Sequence, residues 1–267
     1  MNSALRDNVS VALNEIVSYL DELLQSSTTP DYPGAVNGLQ LSNRGQVTKV
    51  AAAVDFSNDT VSAAIAEQAN LLIVHHGMFW SDRQPIVGNS YTRLRQLLDA
   101  DVAVYASHLP LDRHPELGNN VLLAKHLELQ PGGQFARFKE IFIGVRGETE
   151  IATSRLVERA RAFSREHGGE TITAGFVDGN RKTRRWAICT GAGASAETLA
   201  EAASERIDTL IVGEGPHWTA IEARDRDLVV IYVGHYASET LGIYALGDDL
   251  SQRFRLPAVR ISKPTGL

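Results

Sequence analysis

A chain of 267 residues, 43% of them hydrophobic, is long enough for one large or two small domains with substantial apolar cores. Its formal charge of -6 carries no basic stripe, which disfavours a nucleic-acid backbone as partner, and its single cysteine, Cys189, excludes an internal disulfide and a thiolate zinc finger. No stretch approaches the ~20 apolar residues of a membrane span, and the N-terminal MNSALRDNVSVALNEIVSYLDELLQ mixes charges into a helical pattern where a signal peptide would be uninterruptedly apolar, so a cytoplasmic location is expected.

Residues 9–24 predict an amphipathic helix, with Val9, Leu13, Ile16, Val17, Leu20 and Leu24 on one face. Residues 31–40 (DYPGAVNGLQ) read as a loop, punctuated by Pro33, Gly34 and Gly38. Strand and helix patterns then alternate: strands over 50–54, 71–74 and 102–105, helices over 59–68, 91–99 and 119–127. That rhythm predicts a mostly parallel sheet flanked by helices. The pattern breaks at 130–134 (QPGGQ), a candidate boundary. Beyond it, strands are expected over 141–145, 170–177, 186–190, 209–212 and 228–233, and helices over 152–167, 195–204, 218–225 and 238–250.

Three stretches share one layout. LLIV runs directly into His75-His76-Gly77; VAVY is followed by His108 and Asp112; LVVIYV is followed by Gly234-His235 and then Glu239. Each time a buried strand ends and metal-type ligands begin, and in open α/β sheets ligands bind outside the carboxyl ends of strands. Adjacent His75 and His76 could serve different ions. His235 and Glu239, four apart, share one face of a helix starting near Gly234. His108 and Asp112 have the same spacing, but Pro110 argues against a regular helix there. Asp112 or Glu239 could bridge two ions, and Glu239 is the expected bridge. Imidazole and carboxylate without thiolate suit zinc, iron, manganese, nickel or cobalt.

Each piece alone also fits a capping group, a surface pair or a buried hydrogen bond; their common position after strands sets them apart. Other stretches have weaker claims. Glu214-Gly-Pro-His217 follows TLIV and could support the site or carry a proton. Asp55 ends a strand but stands near a helix start. The turn 191–195 (GAGAS) could cradle an anion at a helix N-terminus, although it lacks the third glycine of a dinucleotide fingerprint and a Walker lysine. Cys189 reads as a small buried hydrophobe, His114, His126 and His167 as surface residues, and the basic run 181–185 as a solvated loop.

DYPGAVNGLQ, VDFSNDTV, LLIVHHGMFW, YASHLPLD with its following GNN, ICTGAGAS, DTLIVGEGPHW and VGHYASETLGIYAL, in that order, resemble the dinuclear-metal family named for its Ngg-interacting-factor member, whose members carry the label GTP cyclohydrolase I type 2 homolog. The resemblance spans nearly the whole chain. It implies two metal ions, held by His75, His76, Asp112, His235 and Glu239, with His108 at or near the site. It implies two α/β lobes with the metal pair in the cleft between them. With the break at 130–134, this gives a first lobe over 1–128, completed by 234–267, and a second over 129–233. It also implies a homohexamer, a ring built from dimers, in the compact form that lacks an inserted middle domain. One position departs from the family pattern: His217 is followed by Trp218, where many members have His-His or His-Asp.

The expected function is that of a metal-dependent hydrolase on a small, nucleotide-like or phosphorylated substrate, with His108 or His217 moving a proton. GTP ring opening would also need groups that hold guanine, and the sequence offers candidates for the water alone. A metal storage or delivery protein and a metal-stabilised ring scaffold are the alternatives.

Overall fold

The computed structural model describes residues 9–80 and 84–267; residues 1–8 of the N-terminal stretch read above lie outside them. In chain order the elements begin β1 (Val11–Ala12), α1 (Leu13–Leu24), β2 (Gly38–Leu41), β3 (Gln46–Val47), β4 (Val50–Asp55), α2 (Asn58–Ala66), β5 (Leu71–His76), α3 (Gly88–Asp99) and β6 (Ala103–Ala106). They continue with α4 (Leu109–Asp112), α5 (Asn119–His126), β7 (Gly133–Phe138), β8 (Ile141–Ala152), α6 (Thr153–Glu166), β9 (Ile172–Ala174), β10 (Lys182–Cys189) and α7 (Ala196–Ser204). The last are β11 (Thr209–Val212), α8 (His217–Asp225), β12 (Val229–Tyr232), α9 (His235–Phe254) and β13 (Ala258–Arg260). Among the described residues no helix is long and apolar enough to cross a membrane.

The chain forms two compact units, Met1–His108 with Ile243–Lys263, and Leu109–Gly242 with Pro264–Leu267. The first unit holds a sheet ordered β13-β4-β5-β6-β2, parallel except for β2 against β6. VAAAV, LLIV and AVYA are buried along their whole length, as strands covered on both faces must be. Val61, Ala64 and Leu97 of the flanking helices close one core over Ala51, Leu72, Val74 and Val104. Helix α2 starts at a capping box: Ser57 and Thr60 each accept from the other's backbone N–H.

The second sheet is ordered β7-β8-β10-β11-β12-β9. Only β10, β11 and β12 run parallel; the other pairings are antiparallel. The expected mostly parallel sheet therefore describes the first unit, and the second is mixed. Strand β8 runs seven residues past its expected end at 145, and β7, unforeseen from sequence, pairs with it. Arg146, Glu148 and Glu150 alternate along β8 and mask it as a polar segment, which a sheet with one wet face tolerates. The basic run 181–185 likewise enters β10, where Thr183 is buried, in place of a solvated loop.

The expected boundary at 128/129 is also corrected. The division falls at His108/Leu109, because α5 buries Leu123 and Ala124, with Leu127 and Leu129, among Leu156, Phe163 and Trp186 of the second unit. Ala237 joins that core, so the start of α9 belongs to the second unit too, while Ile243–Lys263 belongs to the first.

Candidate metal centre

In the first unit the carboxyl ends of β4, β5 and β6 deliver Asp55, His75 with His76, and Ser107-His108. His75 is fully buried, and its Nδ1 lies 2.9 Å from the Ser107 carbonyl. A carbonyl only accepts, so Nδ1–H donates and Nε2 becomes the lone-pair atom of the neutral ring. His76 Nδ1 is 2.7 Å from Asp55 Oδ1, its cross-strand neighbour. His108 Nδ1 is 2.9 Å from Asp31 Oδ1. Asp31 is steadied in turn by Asn37, whose Nδ2 donates to Oδ2 at 2.9 Å and whose Oδ1 accepts the His108 N–H at 2.8 Å. The three histidines offer ring nitrogens all within 4.8 Å of one another. A carboxylate or carbonyl behind each Nδ1 is the arrangement that orients metal-ligating imidazoles.

Burial alone would raise the Asp31 carboxyl. The hydrogen bond and charge of His108, with donors from Asn37 and the Tyr32 backbone, outweigh it and hold Asp31 below the usual carboxylate range.

Gly77 lets the chain leave the histidine pair. A Cβ there would overlap the Gln40 amide and Ala106, and Gln40 Oε1 accepts the Met78 N–H at 2.6 Å.

In the second unit His235 opens α9 immediately after Gly234. Its Nδ1 is 2.8 Å from Glu214 Oε1, carried on the turn after β11, and its Nε2 is 3.2 Å from Glu239 Oε2, one helical turn on. The Glu239 carboxylate is buried, and the Gly191 backbone packs so close that a Cβ there would overlap Oε1. Asp112 is buried as well and accepts from Asn119 Nδ2 at 2.8 Å. Asn119 Oδ1 accepts the Gly242 N–H at 2.7 Å, so one side chain ties the Asp112 carboxylate to α9. Pro110 does not prevent the one-turn helix α4: it lies in the first turn, where its missing N–H has no intrahelical role.

The bond pattern makes Asn119→Ala costly. It leaves a buried carboxylate short of a donor and a buried N–H without its acceptor, each worth about 1–3 kcal/mol. We expect a loss of roughly 2–4 kcal/mol in urea unfolding, with Asn119→Asp restoring only the Gly242 bond. An Asn119→Ala protein of unchanged stability would show that these bonds do not hold in solution.

Cys189 is buried, as expected. Burial pushes its thiol well above the ordinary cysteine range, and the negative charges of Asp112, Glu239 and Glu201 push the same way, so it stays protonated and is no nucleophile. The turn 191–195 does not present a free helix N-terminus. Ser195 accepts the Thr198 N–H, and Thr198 Oγ1 donates to the Gly193 carbonyl.

His217 stands apart from its neighbour Glu214: it is exposed, at the first position of α8. His126 is exposed as expected. His114 and His167 are only half-exposed, because His114 Nδ1 accepts the Glu116 and Leu117 N–H groups and His167 stacks on Phe163 at 4.3 Å.

The family model for Duf34/NIF3 (NGG1p interacting factor 3) matches residues 11–265. The chain belongs to this family. Curated Duf34/NIF3 relatives named GTP cyclohydrolase 1 type 2 homolog include one from Pyrococcus abyssi, 40% identical over 95% of this chain and 98% of its own. Another, from Deinococcus radiodurans, is 36% identical over 96% and 95%. Among solved structures, a protein described as ybgI, of unknown function, superposes with a TM-score of 0.86 at 32% identity over 96% of this chain and all of its own. TTHA1606 from Thermus thermophilus gives 0.83 at 33% over the same shares.

Within this Duf34/NIF3 chain, sequence reading left Asp31, Asn37 and Asn119 without roles, and cast Asp55 as a weak candidate. Asp31 and Asn37 lie 77 and 71 residues from His108, so no local spacing announces them. Glu214 does support His235, whatever residue follows His217.

Proposed function

We propose that the chain is a metal-dependent hydrolase acting on a small, nucleotide-like or phosphorylated substrate, with His75, His76, Asp112, His235 and Glu239 holding two divalent ions. The observation that supports it most is the donor set: imidazoles whose Nδ1 atoms are already engaged, and carboxylates that are buried. Burying carboxylates is unfavourable unless a cation or donors compensate, and imidazole with carboxylate suits zinc, iron, manganese, nickel or cobalt. Bound ions of this kind polarise a scissile group and lower the pKa of water. The protein's own part is orientation: Ser107, Asp55 and Glu214 fix the rings of His75, His76 and His235. His108, backed by ionised Asp31, is the group we assign to proton transfer. The relatives' cyclohydrolase name places GTP among the substrates to test, and a ring of six copies is part of the same reading.

The test is elemental analysis of protein purified without chelators, followed by turnover on a panel of nucleotides and phosphoesters and a solution mass. The expected result is two equivalents of metal, at least one substrate turned over, and activity abolished in His108→Ala with metal retained. Metal-loaded protein inert across the panel would sink the hydrolase, and a single-chain mass would sink the ring.

A further inference from the structure

Trp80 lies four residues beyond His76, in HHGMFW. Its ring centroid is 4.7 Å from that of His108 and 5.2 Å from that of His76, with interplanar angles of 86° and 70°. These edge-on contacts fix the indole, yet 40% of the residue stays exposed. Tyr32, 52% exposed, meets the same His108 imidazole at 5.9 Å. Single exposed aromatics are ordinary. Two of them converging on one histidine of a cluster of ring nitrogens are not accounted for by packing, since neither is buried there. The chain leading to Trp80 is also held: Gln40 receives the Met78 N–H, and Gly77 fits where no side chain could. The aromatic surface is therefore positioned in advance, so a ligand would lose little in ordering it.

We propose that Trp80, with Tyr32 beside it, is a stacking platform for a planar nitrogen heterocycle of nucleobase size, next to the His75, His76 and His108 cluster. This rests on the hydrolase reading and narrows its substrate to molecules that carry such a ring. An indole face stacks any base with little regard to its hydrogen-bonding edge, and the contribution of one base corresponds to roughly 5- to 150-fold in affinity. A sugar phosphate has no π-face to offer and gains nothing from the platform.

The test compares guanosine 5′-monophosphate with ribose 5-phosphate, which differ by the base, using zinc-loaded protein and calorimetry. We expect the nucleotide to bind roughly tenfold more tightly, W80A to abolish that preference while keeping its zinc, and W80F to keep most of it. A second readout needs no change at the site. The chain has three tryptophans; Trp186 is buried, so in a W218F protein Trp80 is the exposed emitter. Its fluorescence should be quenched by the nucleotide and not by ribose 5-phosphate. Equal affinities for the two ligands, or a preference that survives in W80A, would overturn the platform. Loss of zinc in W80A would also overturn it, showing that the indole serves to hold the histidines. Wild-type protein that takes up no zinc is a failure of the metal reading instead, and quenching in metal-free protein still decides the platform.

Discussion

Replacing His75 with alanine is expected to strip metal from the protein. His75 is fully buried, and its Nδ1 is committed to the Ser107 carbonyl, which leaves Nε2 as the nitrogen it would offer to a metal. Removing a mere supporting partner of a ligand typically lowers metal affinity 10–100-fold, so loss of the ligand itself should exceed about 100-fold in a chelator competition. The Ser107 carbonyl also loses a donor, a cost of about 1–3 kcal/mol that appears in urea unfolding even without metal. The two effects separate cleanly: chelator-treated wild type and His75→Ala should differ by the second alone. A variant that purifies with the full wild-type metal content would remove His75 from the ligand set.

The second large effect is expected from a methyl group. Gly191 has a φ of +62°, a left-handed conformation that costs a residue with a Cβ about 1–2 kcal/mol. Its missing Cβ points at the Glu239 carboxylate, so Gly191→Ala must push Oε1 aside. We expect metal affinity to fall by roughly 10–100-fold, the range seen when a ligand is misoriented and not deleted. Gly179 is the control: a Cβ there meets nothing, so Gly179→Ala should leave both stability and metal unchanged. Gly191→Ala with wild-type metal affinity would mean that Glu239 is free to move or is not a ligand.

How much of this was legible in the sequence depends on distance along the chain. The strands LLIV, TLIV and VVIY are short apolar runs bounded by turns, and the histidines and acids after them are read off directly. His235 and Glu239 share a helix face because four residues make one turn. The partners that aim these groups are hidden. Asp31 serves a histidine 77 residues away, and Asn119 joins an acid to the backbone of α9, 123 residues distant. Such pairs follow from tertiary packing, which periodicity does not encode. The β7–β8 hairpin was missed for another reason: a strand with one wet face carries charges, and Glu148 and Glu150 look like loop. The division between units was misplaced because a glycine-rich break, QPGGQ, is a turn into a strand and not a linker.

Cys189 gives the protein an internal clock. The only thiol of the chain lies in the core of the second unit, and the first has none. A buried, protonated thiol reacts with an alkylating reagent only when its surroundings open. The labelling rate in native buffer therefore times the opening of β10 and its neighbours, with no mutation and no contribution from the other unit. Because the negative charges of Asp112 and Glu239 hold that sulfur in its protonated form, the same clock should quicken when their charges are compensated.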